Sequence, residues 1–144
     1  MSLKQLIERL NSSRIQTIAE ANELERARRD KVWEKMMAGK TYGEASGGLA
    51  ILNQPEEQFR AHLKSIDNDL DGMVKIVEES LDNWFGKGDV PPPYYPYRIA
   101  VILNKAKRKE EEAAFLEAWC RHFGDFVGRR YEMIAARAKK LGAI

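Results

Sequence analysis

The run Asp67-Asn68-Asp69-Leu70-Asp71-Gly72-Met73-Val74-Lys75-Ile76-Val77-Glu78 is the stretch of this sequence whose residue types and spacing spell out a chemistry. Asp67, Asp69 and Asp71, at alternate positions, can each offer an oxygen to a hard cation. Gly72 permits a sharp bend, the Met73 carbonyl can add a ligand, and Glu78 can close the shell with two oxygens. A second stretch, Pro91-Pro92-Pro93-Tyr94-Tyr95-Pro96-Tyr97-Arg98, holds the patterns P-P-x-Y and P-x-x-P-x-R. A preformed polyproline helix docks into an aromatic groove at low entropic cost, which makes Tyr94, Tyr95, Tyr97 and Arg98 candidate partner-binding residues. The plainer reading of the same stretch is a stiff connector whose tyrosines pack onto the fold. Catalysis finds little material. His62 and His122 stand without a nucleophile and orienting group around them, and Cys120 with His122 supplies too few ligands for zinc. Cys120 reads as a small core residue, and no enzyme is expected.

The twelve acidic-run residues, with Phe59, Leu63 and Ile66 leading into them, resemble the calcium loop of an EF-hand over about 55–85. That resemblance implies a Ca2+ site made by Asp67, Asp69, Asp71, the Met73 carbonyl and Glu78. A continuous helix explains the same stretch without a metal. Phe59, Leu63, Ile66, Leu70, Met73, Val77, Leu81 and Trp84 follow at steps of three and four, close to a heptad seam. Pro55 suits a first helical position, with Glu56 and Glu57 behind it, and Gly86, Gly88 and the triple proline end the pattern. In a calcium loop Leu70 would stand exposed beside the ion, and the second acidic loop with which an EF-hand pairs is missing. In a helix, Gly72 costs about 1 kcal/mol against alanine, and Asp67 repels Asp71 by a few tenths. We therefore expect 55–85 to be one continuous helix, straight through Gly72, with the calcium loop as the alternative.

The remaining elements also carry helical period. Leu3, Leu6, Ile7 and Leu10 follow Ser2, a good N-cap. Ser13 and Gln16 form a capping-box pattern that predicts a helix from there to about Ala38. Ile15, Ile18 and Ala19 line its apolar face, the charged stretch 23–31 interrupts it, and Val32, Trp33, Met36 and Met37 restore it. The expected organisation is one domain: N-terminal helices over 1–38, a Gly-rich loop over 39–54, the long helix over 55–85, a Pro-rich connector over 86–96, and a helical hairpin with a tail helix over 97–144. In the hairpin, Ala113, Ala114, Leu116 and Trp119 are expected to face inward. Ile99-Ala100, Leu103, Ala113 and Leu116 resemble one unit of the tetratricopeptide repeat over about 93–124, although Glu112 and Trp119 stand where that repeat has alanines. The resemblance implies a helical hairpin used for protein–protein contact. No strand alternation competes, so the expected class is all-α: a bundle of long antiparallel helices with a C-terminal hairpin like a tetratricopeptide unit.

At 144 residues and 44% apolar composition, the chain can bury a core. Its formal charge is +2, unevenly placed: net +3 over 1–40, −6 over 41–97 and +5 over 98–144. The basic clusters are interleaved with acids, which speaks against a nucleic-acid partner, since such a surface wants a stripe of one sign. No apolar run approaches the roughly 18 residues of a membrane span, the first residues lack a signal core, and a single cysteine fits a reducing compartment. A cytoplasmic protein without a membrane is expected. Ample amphipathic helix without a catalytic constellation points to a non-enzymatic interaction or scaffolding module, with a protein partner or self-association, and no cofactor. The alternative is a calcium-binding helical protein.

Overall fold

The computed structural model describes residues 2–39, 57, 58, 61 and 68–144. Pro55, Phe59, Leu63, Ile66, Asp67 and all of the Gly-rich segment beyond Gly39 lie outside the described residues. Within them the protein is all-α, without strands: α1 (Leu3–Ser12), α2 (Ile18–Met37), α3 (Leu70–Lys87), α4 (Tyr94–Lys105), α5 (Lys109–Phe123) and α6 (Arg129–Lys140). The chain divides into two compact units, one of residues 1–15, 66–78 and 92–144 and the other of 16–65 and 79–91.

In the first unit, α5 packs against α1, α4 and α6, and α6 also meets α4. Ser2 caps α1 as its sequence predicts: its hydroxyl accepts from the Gln5 amide while the Gln5 side chain accepts from Ser2 N–H. Leu3, Leu6 and Leu10 are buried on one stripe of α1, and Met73, Val74 and Val77 line the opening turns of α3. From α5 the core takes Phe115, Leu116, Ala118, Trp119 and Phe123; of the residues expected inward Leu116 and Trp119 are buried, Ala113 is half-buried and Ala114 is exposed. Ring contacts run from Phe115 through Trp119, Phe123 and Phe126 to Tyr131, with successive centroids 4.4 to 6.4 Å apart.

Ser13 ends α1 instead of opening the next helix; its N–H and hydroxyl both donate to the Arg9 carbonyl, at 2.9 and 2.6 Å. The cap of α2 is Thr17, whose box partner is Glu20. Two capping-box patterns compete over these few residues, and the one closing with a carboxylate prevails, as the N-terminal dipole favours. Gln16, freed from capping, is buried and donates to the Trp84 carbonyl at 2.7 Å.

The helix expected over 55–85 is not unbroken: Asn68 lies in a turn, Asp69 is non-helical, and α3 starts at Leu70. Gly72 is nonetheless helical, in the first turn. A Cβ there would stand 2.7 Å from a carboxylate oxygen of Asp69, so the missing side chain lets that carboxylate fold over the helix start. The break falls where Asp69, a good N-cap type, precedes an apolar stripe, and two acidic side chains are poor at continuing a helix but good at opening one.

The connector also ends early, because α4 begins at Tyr94. Pro96 is tolerated in that first turn, where its absent N–H would have had no helical acceptor.

In the second unit, α2 meets the end of α3 at local points. The Ala21 carbonyl lies where a Cβ on Gly88 would be only 2.0 Å away, and Gly88 also has a φ of +75°, so glycine is required there twice over. Further along, Arg28 is ion-paired with Asp89. Of the 20 residues of α2 only Ala21 and Val32 are buried.

Candidate interaction surface

The residues singled out for chemistry are not gathered into one site. Asp67 lies outside the described residues. Asp71, Met73 and Glu78 are all on α3, so the Met73 carbonyl belongs to a helix, and the Met73 side chain is fully buried. Residues 70–78 thus do not form the hooked loop that an EF-hand needs. Among the described residues no group of three or more His, Cys, Asp or Glu side chains is arranged to hold a metal ion.

The tyrosine-rich stretch is built into the first unit. Tyr95 and Pro96 are buried, and burial pushes the Tyr95 hydroxyl up to about 12. Tyr94 and Tyr97 are half-buried beneath the Arg130 guanidinium, which sits 5.0 and 5.4 Å from their ring centroids, a cation–π arrangement. Arg98 donates to the Asn68 side-chain oxygen at 3.1 Å. Because Tyr94 to Arg98 is helical, the P-x-x-P-x-R pattern is not displayed on an extended backbone.

Two polar junctions that periodicity does not reveal hold this unit together. Glu112 is 1% exposed and takes two parallel bonds from Arg137, Nε to Oε2 and Nη2 to Oε1, both 3.0 Å. This fork ties α5 to α6. At the other end of α5, Arg121 Nη1 donates to the carbonyls of Leu10 and Ser13 at 2.8 Å each, and His122 Nε2 lies 2.7 Å from the Leu10 carbonyl. A cation therefore meets the negative end of α1, where backbone carbonyls lack helical partners. Burial, followed by the neighbouring Arg121, holds the His122 imidazole below its ordinary range, against the opposing pull of the Leu10 bond.

A cleft of about 430 Å³ beside this junction is walled by Glu117, Cys120, Arg121, Asp125 and Lys139 among others. Burial raises the Cys120 thiol to about 11, so at neutral pH it stays protonated and a poor nucleophile.

The turn from α4 to α5 carries the only non-glycine residue of positive φ among the described residues, Lys107 at 59°. Arg108 N–H bonds Leu103 O at 2.9 Å and Lys107 N–H bonds Asn104 O at 3.0 Å, the pair that closes a Schellman motif, in which glycine is the usual residue at the left-handed position.

On α2, Trp33, Met36 and Met37, which share the apolar stripe of the sequence, are 65%, 40% and 72% exposed, and Ile18 is 61% exposed. Trp84 and Trp119, by contrast, are each 1% exposed. An exposed tryptophan flanked by methionines is the residue set found at protein contacts, since large amphipathic and pliable side chains gain most when desolvated.

No protein-family model, curated protein or solved structure matches this chain. Among the described residues no helix is long and apolar enough to cross a membrane.

Proposed function

We propose that this chain is a non-enzymatic helical interaction module and that its docking element is the outward face of α2. The carrying observation is that a 20-residue helix buries only Ala21 and Val32 while presenting Trp33 and Met37 to solvent. Helices of this kind gain most of their stability from packing an apolar face, so a face left uncovered has its gain still to come from a partner. In this reading the hairpin of α4 and α5, with its resemblance to a tetratricopeptide unit, is the scaffold, and the Glu112–Arg137 fork and the Arg121 clasp keep it rigid.

The test has two arms. A Trp33→Ser/Met37→Ser variant should unfold within about 0.5 kcal/mol of the parent, because exposed side chains contribute little to folding. A photo-crosslinking side chain at position 33 should give an adduct of defined mass whose yield saturates, while the same probe at Met133 on α6 should not. Loss of several kcal/mol in the variant, or no adduct from position 33, would remove the proposal.

A further inference from the structure

Resting on the interaction reading, we infer that the partner of α2 is a second copy of the same helix, lying antiparallel across a two-fold axis at the level of Arg28. The outward seam of α2 reads Ala19, Glu23, Arg26, Asp30, Trp33 and Met37, at steps of 4, 3, 4, 3 and 4. All six are exposed, and that spacing is the one by which two helices mesh side by side. In the antiparallel arrangement, residues equally far before and after position 28 face one another. Arg26 then meets Asp30 of the second copy, and by symmetry Asp30 meets its Arg26, so two ion pairs form at the centre. Glu23 meets Trp33, whose indole N–H can donate to the carboxylate. Met37 lies on Ala19, a long side chain over a small one.

Every polar group of the seam thus has an opposite of matching chemistry, which is what an isologous contact demands of a single surface. Other arrangements lack this property. A parallel pair sets Arg26 on Arg26 and Asp30 on Asp30, and like charges in register are destabilising. Sliding the antiparallel pair by seven residues toward the C-terminus sets Asp30 against Trp33 and Arg26 against Met37, leaving the charges unmatched; sliding it the other way pairs Glu23 with Arg26 but sets Asp30 on Ala19 and carries Trp33 past the start of the facing helix. Among the described residues neither Arg26 nor Asp30 is in an ion pair, whereas their neighbours Arg28 and Arg29 are engaged by Asp89 and Glu25. The acid–base pair at the centre also explains why the apolar stripe is interrupted between Ala19 and Trp33, since buried charges fix register at some cost in stability.

Sedimentation equilibrium of the full chain at low salt decides the matter, with Arg26→Asp, Asp30→Arg and the double swap R26D/D30R. The parent should show a reversible monomer–dimer equilibrium that weakens as salt is added. Each single variant sets like charges face to face and should dimerise about tenfold or more less tightly, while the double swap should return to the parent's affinity. Helical content by circular dichroism confirms that each variant is folded, as these exposed positions allow. A parent that stays monomeric at the highest concentration, single variants that dimerise like the parent, or a folded double swap that stays monomeric would each overturn the inference. A monomeric parent whose position-33 probe still gives a saturable adduct with a different protein would overturn self-association alone. Absence of both would take the interaction reading with it.

Discussion

Replacing Arg137 by methionine tests the buried fork at its most sensitive point. Glu112 is 1% exposed, and Arg137 supplies the paired donors at 3.0 Å to both of its oxygens. Methionine keeps much of the arginine's bulk but leaves the carboxylate buried with no counter-charge. Removing one partner of a buried pair costs roughly 3–5 kcal/mol. The Arg137 side chain keeps 27% of its surface in water, so solvent reaches that rim and places the cost near the lower end, about 3 kcal/mol. For a chain of this size that lowers the midpoint of thermal unfolding by about 6–12 °C. Urea unfolding at neutral pH is the assay, with Glu112→Leu/Arg137→Met as the companion. That double variant removes both charges and should recover much of the loss. A cost below about 1 kcal/mol for Arg137→Met would refute the reasoning: Glu112 would then be solvated and the fork a surface contact.

Lys107→Gly should stabilise the protein by about 1 kcal/mol in chemical unfolding, because glycine adopts the left-handed conformation without the Cβ clash; no gain would mean that the lysine is not strained there. The His122 imidazole is held below its ordinary value of 6.5, so the folded state refuses a proton that the unfolded chain accepts. Its contribution is complete above about pH 6.5 and is lost as pH falls through the lowered folded value, and His122→Gln should flatten that part of the stability–pH profile. Calcium should leave the thermal midpoint unchanged; a rise that disappears in Asp71→Ala would show that the start of α3 rearranges into a loop.

Much of the backbone was legible in the sequence because its signals are local. Ser2 with Gln5 capping Leu3, Leu6 and Leu10, and the stripe Met73, Val77, Leu81 and Trp84, each lie within one helix and carry its period. Gly72 was read correctly as helical, but the start at Leu70 was not, since an acidic residue ahead of an apolar stripe serves equally as helix interior or as cap. The exposure of Trp33, Met36 and Met37 is not written in the sequence for a related reason: spacing says that residues share a face, not whether anything covers it. Glu112 sits in the run Glu110-Glu111-Glu112, which looks like a solvated face, and its partner lies 25 residues away on another helix. Such pairings, like the Arg121 clasp on Leu10 and Ser13, exist only once the helices are packed.

Hydroxyl-radical footprinting of the dilute protein is the most direct check that the outward face of α2 is bare until a partner arrives. Trp33 and Met37 should oxidise at the rates of freely exposed side chains while Trp84 and Trp119 stay protected, and raising the protein concentration should slow Trp33 and Met37 alone. Trp33 as protected as Trp84 at every dilution would mean that the chain covers this face itself, and the docking role of α2 would be contradicted.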